Sequence, residues 1–325
     1  MQKLLTIVVP VYKVEPYINK CLDSCILEDE KLMSQLEVII VNDGTPDNSA
    51  EMSREYVKRY PKTFRQIDKE NGGHGSAWNV GLKEATGKYL RFLDSDDWLT
   101  NLDMLMAKLQ KTDADLVFTP IDVNYVGGDI IRTSIIGPLN VETPITDFAY
   151  QENNLSICDF QYCTYKRTLL QPLYPLFDEH VFYDDMILFV VPPMFAKYFV
   201  IYDFPLYQYL MGRAGQTMDP KVMSRNGRYM IQQYQKMLSY RDAKELKPEI
   251  ASWVNHILTQ YAQRELVPIL ARFGYKQAKT YGALIKKIIL STPDNLTGSK
   301  QVRRFISMPF CLFCLYEKIR NLKNG

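Results

Sequence analysis

The stretch Lys88-Tyr-Leu-Arg-Phe-Leu-Asp-Ser-Asp-Asp97 joins an apolar run of strand length directly to three carboxylates. Continuous apolarity predicts a strand that is covered on both faces, as in parallel sheets, where ligands collect at the carboxyl ends of the strands. Three carboxylates in four residues raise one another's pKa unless a cation neutralises them. Mg²⁺ and Mn²⁺ favour such oxygen ligands together with substrate phosphates, so the stretch predicts a metal-diphosphate site. Asp97 alone would also suit a helix cap before Trp98.

Outward from this stretch, the elements alternate in the order β-α-β-α-β, which is typical of a doubly wound α/β fold. Apolar runs predict two earlier strands, Thr6–Pro10 and Glu37–Val41, and a later one at 115–119. Helical spacing predicts helices at 17–27, 47–60, 76–85 and 102–111. Residues 124–143 predict a hairpin that extends the sheet in antiparallel fashion. We expect the ends of neighbouring strands to bring Asp43 and Asp94 to one crevice.

The chain has 325 residues, 46% of them hydrophobic, and a net charge of +2 that conceals an asymmetry. Residues 221–325 contain 19 Lys and Arg against 6 Asp and Glu, whereas residues 1–220 contain 20 against 31. We therefore expect a catalytic domain at 1–220 and a basic helical region at 221–325. The six cysteines and three histidines form no zinc pattern, and the Cys311-Leu-Phe-Cys314 run suits reduced, apolar cysteines.

The turn Asn71-Gly-Gly-His-Gly75 precedes a predicted helix, where backbone amides could meet a phosphate. A simple turn explains the same glycines equally well, and their spacing is not that of a dinucleotide fingerprint. Asp43 could accept hydrogen bonds from a base or ribose, and Tyr12 offers a ring for stacking. Each of these residues alone is more often structural.

Together these motifs resemble the family 2 glycosyltransferases, inverting enzymes with the GT-A fold that serve bacterial polysaccharide biosynthesis. The similarity runs from Leu5 to about Leu99 in family order, through Ile7-Val-Val-Pro-Val-Tyr12, Val38-Ile-Ile-Val-Asn-Asp-Gly-Thr45, Asn71-Gly-Gly73 and Asp94-Ser-Asp-Asp97. The resemblance implies an α/β nucleotide-diphospho-sugar transferase with a Rossmann-like mixed sheet, followed here by a C-terminal helical region. It also implies a UDP-sugar donor and a Mn²⁺ or Mg²⁺ cofactor.

The resemblance implies roles for individual residues. The donor-contacting set would be Pro10, Val11, Tyr12, Asp43, Asn71, Gly72, Gly73, Asp94 and Ser95, with Tyr12 and Asp43 at the uracil. Asp96 would be the metal ligand, with Asp97 as support. In Phe182-Tyr-Asp-Asp-Met-Ile-Leu-Phe189, Asp185 would be the catalytic base, and Asp184 stands where the family often has Glu.

One departure concerns the helix after the glycine turn. The family commonly reads Ser-Ala-Ala-Arg-Asn there, whereas this chain reads Ser76-Ala-Trp-Asn79, so Trp78 replaces the arginine. We expect Arg213, in a loop that resembles the family's mobile loop over the donor, to supply a cationic contact. A surface arginine is the alternative.

The acceptor side of the site is the least determined by sequence. A saccharide acceptor, polyprenyl-diphosphate-linked as in many relatives, would suit capsule, exopolysaccharide or wall-polymer synthesis. The basic, aromatic segment 300–320 fits an anionic membrane surface, or equally a helix packed on the catalytic domain or on the second subunit of a homodimer. We expect a cytoplasmic protein, peripheral at the inner membrane face in the first case, and no nucleic-acid partner.

Two functions from other classes stay open at this point. A nucleotidyltransferase would also pair an α/β sheet with a metal carboxylate, but a Gly-rich basic loop is expected after its first strand, where this chain reads Val11-Tyr-Lys-Val-Glu15. A non-catalytic nucleotide-sugar-binding module would keep the crevice without a base, and the Asp184-Asp185 pair argues against it.

Overall fold

In the computed structural model, residues 3–135, 137–148, 160–213, 216–217, 220–262, 266–267, 270, 275–291 and 300–308 are described. The chain forms two compact units, Met1–Arg213 and Ala214–Gly325. The first unit thus ends at Arg213. The functional division after residue 220 stays a prediction. Each unit is described by itself below.

An eight-stranded mixed sheet forms the centre of the first unit. Its strands are β1 (Leu5–Val11), β2 (Leu36–Asn42), β3 (Phe64–Asp68), β4 (Tyr89–Phe92), β6 (Leu116–Phe118), β9 (Thr143–Pro144), β10 (Cys163–Lys166) and β11 (Tyr198–Ile201). They lie in the order β3-β2-β1-β4-β10-β6-β11-β9. The first four are mutually parallel, and β10 pairs antiparallel with β4 and β6. Every residue of β1 and β2 is buried, as continuous apolar runs require. The predicted α/β class with a mixed sheet is confirmed.

The strand order corrects one expectation from the sequence. Asp43 follows β2 and Asp94 follows β4, but β1 lies between these two strands. The two acidic positions are therefore separated by the end of β1, where Tyr12 follows. The residue-by-residue register of β1 with both neighbours still brings all three ends to one edge of the sheet.

Helices flank the strands of the first unit. They are α1 (Ile18–Asp23), α2 (Glu30–Gln35), α3 (Ser49–Arg59), α4 (His74–Glu84), α5 (Leu102–Leu109), α6 (Ile145–Phe148), α7 (Arg167–Leu170) and α8 (Ile187–Val190). Helix α4 crosses β1 so closely that a Cβ added at Gly81 would lie 2.1 Å from Val8 Cγ1. Glycine at this position therefore sets the distance between α4 and the sheet.

A second, four-stranded sheet has the order β5-β12-β7-β8. It contains β5 (Trp98–Leu99), β7 (Ile121–Tyr125), β8 (Ile130–Arg132) and β12 (Tyr207–Met211). The predicted hairpin around Gly127 and Gly128 is present as β7 and β8, but it belongs to this second sheet and does not extend the main one. In the second sheet, β12 pairs with β7 in parallel, and the sequence pattern does not indicate this pairing.

The second unit is helical in its described part, as predicted. It contains α9 (Pro220–Asn226), α10 (Arg228–Asp242), α11 (Pro248–Tyr261), α12 (Tyr275–Ser291) and α13 (Lys300–Ser307). Tyr234 on α10 stacks on Tyr261 at the end of α11, with 5.8 Å between ring centroids. No helix in the described residues is both long and apolar enough to span a bilayer. The Cys311–Cys314 run lies outside the described residues.

Candidate active site

The crevice at the carboxyl ends of β2, β1 and β4 collects the predicted donor residues. Pro10 and Val11 are buried in β1, whereas Tyr12 at its end has 43% of its surface exposed. Ser95 is 5% exposed, beside Asp94. An exposed ring at the rim of a polar crevice is suited to stacking on a base.

The carboxylates of Asp94, Asp96 and Asp97 form one cluster, with oxygens that all lie within 4.8 Å of one another. Asp97 is 1% exposed and its two oxygens have neutral partners. The Leu210 amide donates to one oxygen over 2.8 Å, and the Tyr207 hydroxyl donates to the other over 2.7 Å. The same hydroxyl accepts from the Asp94 amide over 3.1 Å. These contacts fix the Asp97 carboxylate in place, and its supporting role stays a prediction.

The cluster carries more negative charge than its surroundings offset. Burial raises the pKa of Asp97 well above its ordinary value, and the charges of Asp96 and Asp94 raise it further, against hydrogen bonds from Leu210 and Tyr207. Burial and Asp94 also raise the pKa of Asp96, opposed by Arg213. Carboxyl groups that are held so unfavourably become fully ionised when a cation approaches.

Arg213 forms an ion pair with Asp96. Its guanidinium carbon lies 5.2 Å from the centre of the Tyr17 ring, and its buried Nε has no hydrogen-bond partner. The expectation placed Arg213 at the donor, whereas the structure places it on the predicted metal ligand. The guanidinium is thus a stand-in cation at the position where a metal would bind.

The residues present fit a divalent metal. Asp94 and Asp96 offer hard carboxylate oxygens that are close enough to share one ion, and Arg213 shows that a cation is accommodated at Asp96. One or two carboxylates plus substrate phosphates are the usual ligands of Mg²⁺ in such sites. No histidine or cysteine belongs to this group, so the chemistry of the donor set favours Mg²⁺ or Mn²⁺ over zinc.

Asp43 organises the glycine turn. Its carboxylate is 4% exposed and accepts from Lys69 Nζ over 2.7 Å. It also accepts from the amides of Gly72 over 2.9 Å and Gly73 over 2.8 Å, while the Asn71 side chain donates to its carbonyl. The two glycine amides are therefore directed to Asp43, which differs from the expectation that they face a phosphate. The cation that pairs with Asp43 is Lys69, which was not predicted from the sequence.

His74 is a second residue that sequence reasoning missed. Its Nε2 lies 2.9 Å from an Asp94 oxygen, and its Nδ1 lies 3.4 Å from an Asp184 oxygen. Burial opposes the charged ring, but hydrogen bonds and charge from Asp184 and Asp94 outweigh it and raise the pKa of His74 well above its ordinary value. The signal in the sequence was a histidine inside a glycine turn, four residues before the tryptophan that replaces the family arginine.

Trp78, which stands where the family commonly has an arginine, is packed in the protein interior. It is fully buried, and its ring is surrounded by those of His74, Phe92, Phe160 and Phe177 at centroid distances of 4.0 to 5.2 Å. Such a cluster stabilises the start of α4 through apolar burial and edge-to-face contacts. The cationic side chains near the donor crevice are instead Lys69, His74 and Arg213.

The segment before the acidic pair is tied to α4. Asn79 accepts from the amides of Leu176 and Phe177 and donates to the Phe177 carbonyl over 2.8 Å. Nearer the turn, the Ser76 hydroxyl donates to Glu179 over 3.0 Å, and the His180 amide donates to the Gly72 carbonyl over 2.6 Å. The glycine turn and the acidic pair are thus held side by side.

The two carboxylates of the acidic pair have different environments. Asp184 is 2% exposed, and its Oδ2 is buried without a hydrogen-bond partner. Asp185 is partly exposed, immediately before α8. His180 and Tyr183 adopt positive φ values of 54° and 62°, a conformation that costs energy for side chains of this size.

The mixed sheet has the architecture of the GT-A fold, with an acidic cluster at the end of β4 that His74 links to the acidic pair. The model of glycosyl transferase family 2 matches residues 6–173, more than half of the chain. The chain belongs to glycosyl transferase family 2.

Relatives in this family share the N-terminal part of the chain. The chain is 40% identical over 119 residues to the uncharacterized glycosyltransferase EpsJ of Bacillus subtilis, which covers 36% of this chain and 33% of EpsJ. It is 33% identical over 160 residues to the teichoic acid poly(glycerol phosphate) polymerase of Staphylococcus epidermidis, covering 47% of this chain and 21% of that protein. The chain thus matches about a third or less of the length of these relatives.

Solved structures show the same fold over nearly the whole chain. S. aureus TarS 1–349 in complex with UDP-GlcNAc gives a TM-score of 0.75 at 16% identity, covering 98% of this chain and 92% of that chain. The mannosyltransferase PcManGT of Pyrobaculum calidifontis, in complex with GDP-Man and Mn²⁺, gives a TM-score of 0.57 at 17% identity, covering 100% and 88%. At these identities the likeness concerns the fold.

Proposed function

We propose that the chain is a metal-dependent, inverting glycosyltransferase that moves a hexose or hexose derivative from a UDP-sugar to a hydroxyl of a saccharide acceptor. The observation that carries this proposal is the arrangement of two carboxylate groups around one crevice. The cluster contains Asp96, and His74 links its member Asp94 to Asp184, the neighbour of Asp185 in the acidic pair. A donor site and a base are the two parts that a single displacement needs.

The proposed reaction breaks the bond between the anomeric carbon and the diphosphate oxygen. The Asp185 carboxylate accepts the proton of the acceptor hydroxyl as that oxygen attacks the anomeric carbon from the opposite side. UDP leaves with the bonding electron pair, and an α-linked donor gives a β-linked product. A bound Mn²⁺ or Mg²⁺ ion, held by Asp96 with Asp94 beside it, would supply Lewis-acid stabilisation of the diphosphate charge. Tyr12 and Asp43 would orient the nucleoside, and Asp97 would hold the cluster.

The names of the relatives support the donor and the pathway. A structural neighbour was solved in complex with UDP-GlcNAc, and one relative is named a teichoic acid poly(glycerol phosphate) polymerase. A second neighbour binds GDP-Man and Mn²⁺, so GDP-mannose belongs in the donor panel. Family membership favours a glycosyltransferase over the nucleotidyltransferase that the sequence left open. A non-catalytic binding module would bind UDP but release none from a sugar donor.

The test is a panel of UDP- and GDP-sugars assayed for nucleotide release with Mn²⁺, with Mg²⁺ and with EDTA. We expect release from at least one UDP-sugar and its loss in EDTA, in Asp96→Ala and in Asp185→Asn. Asp129→Asn, at an exposed carboxylate on the β7–β8 hairpin, is the matched control and should keep wild-type turnover. Silence across all donors with intact UDP binding would support the binding module. Wild-type turnover by Asp185→Asn would remove that residue as the base.

The acceptor proposal is a lipid-linked saccharide at an anionic membrane surface. Arg303 and Arg304 are exposed on α13 and belong to the basic segment 300–320, of which residues 309–320 lie outside the described residues. Basic side chains contribute attraction to anionic lipid headgroups at close range. The full chain should float with phosphatidylglycerol vesicles but not with phosphatidylcholine vesicles, and Arg303→Gln/Arg304→Gln should weaken flotation. Equal flotation with both lipids, or none, would favour a helix packed on protein, and a dimer would then appear in sedimentation.

A further inference from the structure

The His74 ring lies between the two carboxylate groups of the crevice. Its Nε2 is 2.9 Å from Asp94 Oδ1, at the end of β4, and its Nδ1 is 3.4 Å from Asp184 Oδ1, in the acidic pair. A carboxylate oxygen accepts hydrogen bonds, so a ring nitrogen that carries a proton donates to the oxygen that it faces. One side chain therefore links residues that are 90 positions apart in the sequence and face each other across the crevice.

The surroundings of the ring restrict its orientation. His74 is the first residue of α4, and its ring packs on Trp78 with 4.0 Å between centroids. Trp78 is itself enclosed by three other aromatic rings. Because Trp78 is fully buried, it offers His74 a fixed surface to pack against.

Asp184 depends on this contact. Its Oδ1 faces His74, and its Oδ2 is buried without a hydrogen-bond partner. A buried carboxylate that loses its cationic partner either moves toward water or takes up a proton. Movement toward water displaces the peptide that leads directly to Asp185.

We propose that His74 is a positioning residue, which holds Asp184, and thereby the adjacent base Asp185, at a fixed place relative to the donor residue Asp94. This inference rests on the proposed function, since it concerns the placement of its base. His74 itself makes no bond to the reacting atoms. Its two hydrogen bonds act on two different parts of the reaction, one on the donor side and one on the base side.

Two conservative variants separate the two hydrogen bonds. The Asn amide nitrogen takes a place near that of Nδ1, so His74→Asn keeps a donor for Asp184 and loses the one for Asp94. The Gln amide nitrogen reaches nearer to the place of Nε2, so His74→Gln keeps a donor for Asp94 and loses the one for Asp184. His256→Gln, on α11 in the second unit, is the matched control.

We expect His74→Gln to lower kcat by about tenfold to a hundredfold with little change in donor KM, the effect of losing a hydrogen bond to a charged group. His74→Asn should mainly raise donor KM, and His256→Gln should match wild type. In an Asp184→Asn background, His74→Gln should cost much less, because both substitutions break the same contact. Identical behaviour of the Asn and Gln variants, or a kcat for His74→Gln near that of wild type, would overturn the proposal.

A spectroscopic readout keeps this test independent of turnover. In long-range ¹H–¹⁵N spectra of the chain, which has three histidines, Asp184→Asn should shift the Nδ1 signal of His74 and leave the signals of His256 unchanged. A His74 ring with no response to Asp184→Asn would contradict the positioning role. An inactive wild type with the expected spectrum would instead count against the proposed function alone.

Discussion

Gly75→Ala tests whether the position of Asp184 matters for the reaction. A Cβ added at Gly75 would lie 1.9 Å from Asp184 Oδ2, 2.6 Å from Phe177 Cβ and 3.1 Å from the Asp178 carbonyl oxygen. The first two contacts are far inside van der Waals distance, and the third is a few tenths of an ångström too short. Asp184 must therefore rotate away and the 177–178 backbone must shift, and both movements displace the acidic pair.

The expected magnitude follows from two opposing effects. Overpacking of a dense interior costs about 1–3 kcal/mol, whereas alanine in a helix is favoured over glycine by about 1 kcal/mol. With contacts this short we expect the upper end of the first range, a net loss of about 2 kcal/mol. For a unit of this size the loss corresponds to a fall in Tm of about 4–8 °C.

Gly81→Ala is the matched control, because it lies in the same helix and its Cβ would lie 2.1 Å from Val8 Cγ1 on β1. Both variants should lose similar stability in thermal unfolding. In donor turnover measured well below Tm, Gly75→Ala should lose about a hundredfold in kcat/KM, the cost of a misplacement of about 1 Å, and Gly81→Ala should stay near wild type. Equal turnover by the two variants would refute the link between Asp184 and catalysis.

Three further predictions concern charge. Arg213→Ala should tighten Mn²⁺ binding in the absence of donor about threefold to tenfold in calorimetry, because the guanidinium no longer competes with Mn²⁺ for Asp96. An unchanged Mn²⁺ affinity would show that the ion pair does not lie at the metal site. Asp97 has a raised pKa in the folded state, so its contribution to stability falls as pH rises above the unfolded value. The Tm of Asp97→Asn relative to wild type should therefore rise as the pH increases above about 4, the ordinary pKa of aspartate, in metal-free buffer, and a flat difference would contradict the pKa shift. Arg91→Met should lower Tm by several degrees. The buried guanidinium donates to the Cys163 carbonyl and to the Thr164 hydroxyl, and both oxygens would lose this donor. An unchanged Tm would contradict a stabilising role of these hydrogen bonds.

The sequence predicted the elements that are buried on both faces. Strands β1 and β2 were found because continuous apolar runs of strand length carry their own signal. Strand β3, Phe64–Asp68, was missed because it is a half-exposed edge strand with charged and polar residues. The order of the strands was misjudged for a different reason: sequence order does not state that β1 inserts between β2 and β4.

The parts of the site that the sequence did not predict depend on long-range partners. Tyr207 meets Asp97 from 110 positions away, and His74 meets Asp184 from the same separation. Tyr207 has no local pattern that marks it, and the histidine in the glycine turn gives no indication of its distant partner. Lys69 was missed for the same reason, because a lysine in a charged turn is ordinary until its contact with the buried Asp43 is known.

The three carboxylates of the cluster differ in how easily a metal ion could displace their present partners. This difference supports separate roles for the three residues. Asp97 is held by a strand amide and a buried hydroxyl, which a metal would have no reason to displace. Asp94 is held by a histidine that packs on a buried tryptophan. Asp96 is held by Arg213, the last residue of its compact unit, whose long side chain can withdraw. A cation that enters the cluster with the donor would therefore exchange most readily at Asp96, which is where we expect the metal to bind.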